Sequence, residues 1–68
     1  MENDHLALRI RAFRKLKGYT QQELAERLGV SVAVLGAIER GTRRADSNIL
    51  EKIADVLGVG MDELLNRA

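Results

Sequence analysis

Three arginines lie within five residues of one another, at positions 40, 43 and 44. A guanidinium is permanently charged and can bind a phosphate with two parallel N–H groups, so Arg40, Arg43 and Arg44 predict a clamp for a phosphate strand. Earlier in the chain, Thr20 and Gln21 stand at a predicted helix start, where free backbone N–H groups also favour a phosphate. The alternative is that the arginines only cap a helix end, while Thr20 only caps a helix start and Gln21 is solvated.

Two short helices and a tight turn must position these groups. Thr20 and Glu23 have the Thr-x-x-Glu spacing of a capping box at a helix start. Gly29 is suited to end that helix, and Ser31 to begin the next one. Two short helices joined in this way can cross steeply, so that the second one projects into the major groove of DNA. Residues 20–41 therefore predict a helix-turn-helix motif.

Apolar residues at spacings of three and four predict helices along the rest of the chain. One runs from about residue 4 to residue 17, another begins near Asp46 or Ser47, and a short last helix covers about residues 61–66. We therefore predict an all-α fold, a compact five-helix domain over residues 1–68. The apolar side chains expected inside it include Leu6, Ile10, Phe13, Leu24, Ala25, Leu28, Val34, Leu35, Ile38, Leu50, Ile53, Ala54 and Leu57.

Composition argues against several classes of protein. The chain of 68 residues has no cysteine, and its only histidine, His5, lies in a polar segment. No nucleophile has a neighbouring base, so an enzyme is not expected, and neither is a cofactor, a metal or a small-molecule ligand. No apolar run reaches the ~18 residues of a membrane span, and the polar, acidic first residues are unlike a signal peptide. A cytoplasmic, nucleoid-associated protein without membrane contact is the expectation.

Charge is unevenly distributed along the chain. Residues 1–44 contain nine Lys or Arg and five Asp or Glu, a balance of +4, whereas residues 45–68 contain two and five, a balance of −3. This asymmetry fits one face that binds a polyanion and another that is turned away from it. An ordinary mixed surface is the alternative that charge alone leaves open.

Several segments together resemble a known family. Gly18–Ser31 begins GYTQQELAERLG, residues 38–41 are IERG, and Leu50–Val59 reads LEKIADVLGV. This pattern resembles the Cro/C1-type (XRE family) helix-turn-helix domain of phage repressors, restriction-modification controller proteins and SinR-like regulators. The resemblance implies a lambda-repressor-like fold and a transcriptional regulator, a repressor or controller, that binds double-stranded DNA as a homodimer.

The resemblance also implies a structural pair. Arg14 and Glu39 match family positions that pair across the domain and link helix 1 to the end of helix 3. A bidentate bond between them would hold the recognition helix in place. A phosphate contact from Arg14 is left open.

The solvent face of helix 3 is expected to carry the base-contacting residues in this family. Its positions here are Val32, Ala33, Gly36 and Ala37. None of them is Arg, Lys, Asn or Gln, the side chains that usually bind guanine or adenine. The motif therefore predicts DNA binding, while its recognition face offers few hydrogen-bonding groups.

Three interpretations of this face stay open. In the first, small apolar side chains contact thymine methyl groups, while DNA shape and Gln21 or Gln22 add specificity. In the second, DNA is bound weakly through its phosphates, with little specificity. In the third, Ala33, Gly36 and Ala37 form a flat patch for another protein helix. The domain would then be a protein-interaction or oligomerisation module with weak DNA binding.

Self-association is expected from the family, whose members commonly bind two half-sites as dimers. Spare apolar residues near the C-terminal end could supply the contact, namely Val59, Met61, Leu64 and Leu65. The alternative is that these side chains complete the core of the monomer.

Overall fold

The computed structural model describes residues 2–66 of the chain, with side chains described from His5 onward. All the regular secondary structure over that range is α-helical, as predicted, and it forms five helices. They are α1 (Glu2–Leu16), α2 (Gln21–Leu28), α3 (Val32–Arg40), α4 (Ser47–Leu57) and α5 (Met61–Leu65).

Short polar side chains begin the middle helices. The Thr20 hydroxyl accepts the Glu23 N–H at 3.0 Å, and the Glu23 carboxylate accepts the Thr20 N–H at 2.8 Å, which confirms the capping box. Ser31 caps α3 as predicted, by accepting the N–H of Val34 at 3.1 Å. At α4 the open choice resolves to Asp46, which accepts the N–H of Ile49 at 2.9 Å.

Glycines end the two helices of the motif. Gly29 has φ of 75° and Gly41 has φ of 79°, in the left-handed region that side chains other than glycine rarely adopt. The positive φ turns the chain out of the helix, while the glycine N–H still donates to carbonyls of the last turn. The predicted end of α2 at Gly29 is confirmed, and α3 ends in the same way at Gly41.

One core joins all five helices. The predicted stripes of α1 to α4 converge there, and α5 adds Leu64, which is completely buried. Complete burial of Leu64 means that it is not available at a surface of the monomer, so its expected place in a dimer contact is wrong. The buried apolar residues of the core are Ile10, Leu24, Ala25, Leu28, Leu35, Ile38, Ile53, Ala54, Leu57 and Leu64.

Arg9 ties α1 to the end of α5. Its Nε donates to the carbonyl of Leu64 at 3.0 Å, its Nη2 donates to the carbonyl of Glu63, and its guanidinium lies 5.5 Å from the centre of the Phe13 ring. Arg9 therefore has a structural role in the domain. The Glu63 carbonyl also accepts the N–H of Asn66 at 3.3 Å, and a cation at this end of α5 complements the negative end of the helix dipole.

None of the described helices has both the length and the hydropathy needed to cross a membrane.

Candidate nucleic-acid interface

The first turn of α2 presents backbone N–H groups to solvent. Two of them are already used, because the amide of Glu23 binds the Thr20 hydroxyl and the amide of Leu24 binds the Thr20 carbonyl. Within the described part of the chain, the amides of Gln21 and Gln22 have no such partner. These two amides, beside the exposed Thr20, are the groups of this turn that can receive a phosphate.

The Glu23 carboxylate lies at the same helix start. Its hydrogen bond from the Thr20 backbone N–H, followed by that from the Thr20 hydroxyl and the charge of Arg27, lowers the pKa of this carboxyl from its usual 4.5. Glu23 is therefore ionised at neutral pH. Its negative charge complements the positive N-terminal end of α2, and it also repels a phosphate that comes close to this helix start.

A buried hydrogen-bond network lies behind α2 and α3. Arg14 donates from Nε to Glu39 Oε2 at 2.7 Å and from Nη2 to Oε1 at 3.1 Å, so the predicted pair is present and bidentate. Arg14 Nη1 also donates to the Tyr19 carbonyl at 2.8 Å. Only 9% of the Arg14 side chain and 2% of the Glu39 side chain are exposed, so the phosphate contact considered for Arg14 does not fit this conformation.

Gln21 belongs to this network as well as to the surface. Its Nε2 donates to Glu39 Oε1 at 3.1 Å, and Gln21 is half-buried. No sequence pattern indicates this bond, because the two residues lie 18 positions apart on different helices. Glu39 thus accepts from α1 and from α2 while it sits on α3, and so it fixes all three helices relative to one another.

The recognition face of α3 is less open than its sequence indicates. Val32 and Ala33 are exposed, Val32 to 43%, but Ala37 is half-buried and Gly36 is buried. The expectation that Gly36 directly contacts a base or a partner helix is therefore wrong for this conformation. The flat patch expected on this face is interrupted at its centre.

Side chains from either side cover Gly36. A Cβ placed on Gly36 would lie 3.1 Å from Nη1 of Arg40 and 3.9 Å from both the Nε2 and Oε1 atoms of Gln21. Arg40 follows Gly36 by four residues, and residues at this spacing are neighbours on a helix surface. That spacing is the signal by which the sequence could have revealed the contact.

Arg40, Arg43 and Arg44 are all exposed at the end of α3 and in the loop after it. The loop is held by the N–H groups of Thr42 and Arg43, which both donate to the carbonyl of Ala37, and by the Thr42 hydroxyl, which donates to it as well. Among the described residues none of the three arginines forms an ion pair, so their charge is available to a polyanion.

The outer surface of α4 carries charges of both signs. Four exposed polar residues line an open concavity on the outer surface of α4, namely Asn48, Glu51, Lys52 and Asp55. No group of three or more His, Cys, Asp or Glu in the described part of the chain is arranged to hold a metal ion.

Comparison with known proteins assigns the family. The helix-turn-helix family profile matches residues 10–64, most of the chain. The chain is 55% identical over 64 residues to the uncharacterised helix-turn-helix transcriptional regulator YazB of Bacillus subtilis, covering 94% of this chain and 93% of YazB. It spans about half the length, 53%, of the SinR regulators of Bacillus species that it also matches.

Solved structures show the same architecture. The clp gene regulator ClgR of Corynebacterium glutamicum superposes with a TM-score of 0.94 at 33% identity, over 97% of this chain and 70% of that one. SinR, the master regulator of biofilm formation, crystallised in complex with DNA, superposes with a TM-score of 0.82 at 41% identity, over 88% of this chain and 97% of that one. The chain therefore belongs to the helix-turn-helix family, in its XRE-type branch, and it is a DNA-binding transcriptional regulator.

Proposed function

We propose that this regulator inserts α3 into the major groove of an operator and acts by occupying that site, as a repressor or controller in the cytoplasm. The observation that carries the proposal is the set of exposed cations at Arg40, Arg43 and Arg44, which form no ion pair among the described residues and lie at one end of α3. A recognition helix flanked by cations that hold the DNA backbone is the usual arrangement of this motif.

Phosphate contacts would come from two sides of α3. Arg43 and Arg44 come after its C-terminal end, while Thr20 and Gln21 stand at the first turn of α2. Contacts on both sides would fix the orientation of the helix in the groove without carrying sequence information. Base contacts would come from the exposed start of α3, from Val32 and Ala33 against thymine methyl groups, with Gln22 at the edge.

The salt dependence of binding tests this proposal. Affinity for random duplex DNA is measured over a series of salt concentrations for the wild type, Arg43→Ala and Arg44→Ala. Each variant should bind more weakly to all sequences, and the slope of log K against log salt should become shallower by about 0.9, because one phosphate contact is lost.

Lys52→Ala is the matched control for charge. Lys52 is an exposed cation on the α4 surface, beside Glu51 and Asp55. The Lys52→Ala variant should leave the slope of log K against log salt unchanged. No binding by the wild type even at low salt would overturn the proposal and favour the protein-interaction module instead.

We also propose a homodimer formed through the α5 end. Val59, Met61 and Leu65 are half-buried in the monomer, and so they retain apolar surface next to one another in the chain. Val59 and Met61 also pack on the core, so they contribute their outer edges only. Sedimentation equilibrium with Leu65→Ser should show a shift from dimer to monomer. A competing contact is the α1 surface with exposed Leu8 and Leu16, so a shift caused by Leu16→Ser instead would move the interface there.

A further inference from the structure

A glycine occupies the centre of the recognition helix where no turn requires one. Gly36 lies inside α3 and is not among the glycines with positive φ. Glycine in a helix interior destabilises it relative to alanine, so a conformational reason is missing. The space above Gly36 supplies a different reason.

That space is filled by the end of the Arg40 side chain. A Cβ on residue 36 would lie 3.1 Å from Arg40 Nη1, closer than ordinary van der Waals contact. Long side chains on a helix point back toward its N-terminus, over the residue four positions earlier. Because Gly36 has no side chain, the Arg40 guanidinium lies against the middle of α3 rather than beyond its end.

Gln21 lies on the other side of the same point. The Glu39 carboxylate can only accept, so the amide of Gln21 must turn its Nε2 toward it, and the observed 3.1 Å bond fixes this orientation. Within the described residues, the side-chain oxygen Oε1 of Gln21 and the second N–H of its side-chain amide form no hydrogen bond. Both Nε2 and Oε1 lie 3.9 Å from the Cβ position above Gly36.

We infer that Gly36 determines sequence specificity, because its missing side chain lets the Arg40 guanidinium, flanked by the Gln21 amide, bind a guanine at the centre of the recognition surface. This inference rests on the proposed docking of α3 in the major groove. Arginine binds the O6 and N7 atoms of guanine with two N–H groups, the commonest specific contact of this kind. The polar contact that the residues of the α3 face lack is supplied by side chains that lie over it.

A base contact and a phosphate contact of Arg40 have different consequences. Arg43 and Arg44 lie beyond the end of α3, where the DNA backbone would pass, whereas the Arg40 guanidinium lies over Gly36. A phosphate contact contributes equally to every sequence, whereas a guanine contact contributes only where guanine is present. Selection from a randomised duplex library separates the two.

The experiment compares the sequences enriched from such a library by the wild type, Arg40→Ala, Gly36→Ala and Gly36→Leu. The wild type should enrich a guanine at one position of each half-site. In Arg40→Ala the enrichment of guanine at that position should fall by roughly 10-fold. Gly36→Ala should weaken it and Gly36→Leu should abolish it, because the longer side chain displaces the guanidinium further.

Two controls keep the outcome interpretable. Ala12→Leu adds bulk at an exposed position of α1 that has no place in the proposed DNA contacts, so it should keep the guanine preference. Gly36→Ala should unfold at a higher temperature than the wild type, because only the flexible end of Arg40 must move and the helix gains a better helix former.

Three results would contradict the role of Gly36 and Arg40, and each has a different meaning. If Arg40→Ala weakens binding to all library members equally, Arg40 binds a phosphate and the inference is wrong while the proposed function stands. If Gly36→Leu keeps the guanine preference of the wild type, Gly36 does not determine it. Absence of any wild-type binding would overturn the proposed function, and the inference with it.

Discussion

Two arginines of α1 fasten this helix to two other helices, α3 and α5, and they do so by different physics. Arg14 meets the carboxylate of Glu39 in the interior, where both side chains are almost fully buried. Arg9 meets the backbone carbonyls of Glu63 and Leu64 at a partly exposed position near the end of the described chain. The first contact holds the recognition helix, and the second holds α5.

The two contacts should differ most in the cost of losing one partner. A buried charge without its partner keeps the cost of leaving water, so removal of one member of such a pair is far more damaging than the net value of the pair. A partly exposed carbonyl that loses an arginine can bind water instead. The position of α3 therefore depends on a buried ion pair, while the α5 end depends on a replaceable contact.

The largest expected effect comes from Glu39→Ala, which leaves the Arg14 guanidinium buried and unpaired. We expect a loss of roughly 3–5 kcal/mol in the free energy of unfolding, measured by urea denaturation. In a domain of this size that loss is most of the stability. The double variant Arg14→Met/Glu39→Leu should recover most of it, because no buried charge remains. A loss below about 1 kcal/mol in Glu39→Ala would be typical of a surface ion pair. The Arg14 contact would then not differ from the partly exposed Arg9 contact.

Arg9→Ala should cost less, about 1–2 kcal/mol in the free energy of unfolding, because charge-assisted hydrogen bonds to the α5 carbonyls are replaced by water. Thermal or urea denaturation measures the change. Arg11→Ala, an exposed arginine of the same helix, should stay within about 0.5 kcal/mol of the wild type. If Arg9→Ala cost as much stability as Glu39→Ala, the two contacts of α1 would not differ in kind.

Thr20→Ala should cost about 1 kcal/mol, because the Glu23 N–H loses its hydroxyl acceptor at the start of α2. Loss of helix content at the same denaturant concentration can be followed by circular dichroism. Thr42→Ala provides a comparison outside any helix start, since its hydroxyl donates only to the Ala37 carbonyl in an exposed loop. A smaller effect of Thr20→Ala than of Thr42→Ala would contradict the assignment of the cap.

The smallest expected effect concerns pH. The pKa of Glu23 in the folded chain is lowered below 4.5 by the Thr20 backbone N–H, so the ionised carboxylate stabilises the fold. That contribution is complete above the unfolded pKa, about 4.5, and is lost as pH falls through the lower folded pKa. Melting temperatures between pH 6 and pH 3 should fall less in Glu23→Gln than in the wild type. Identical pH profiles would show that the bond does not affect stability.

Much of the architecture can be predicted from local sequence. Thr20, Ser31 and Asp46 each accept a hydrogen bond from the backbone N–H three residues ahead. The glycines that end helices also act within one turn. These helix boundaries can therefore be predicted from a few neighbouring residues. The predicted boundary of α1 is less accurate, since the sequence indicates residues 4–17 and the helix spans Glu2–Leu16.

The site is harder to predict than the fold. The pair of Arg14 and Glu39 is predicted only through the family resemblance, because a contact between residues 25 positions apart has no local signal. The same absence of a local signal conceals the bond from Gln21 to Glu39. By contrast, the cover that Arg40 places over Gly36 is implied by four-residue spacing. The prediction for the α3 face is wrong at Gly36 because it considers only the residues of that face. It leaves out the side chains of Arg40 and Gln21, which cover Gly36.

The local helix boundaries also bear on how quickly the chain reaches its fold. The cap at Ser31 and the stop at Gly41 are satisfied by residues within α3 or its next turn, so this helix can begin to form before any distant partner arrives. Small helical domains with contacts of short range along the chain fold in microseconds to milliseconds. The ion pair at Glu39 joins segments that are far apart in sequence, and so it should form late and act mainly on the rate of unfolding. Its two partners would then govern how long the regulator stays folded more than how fast it folds.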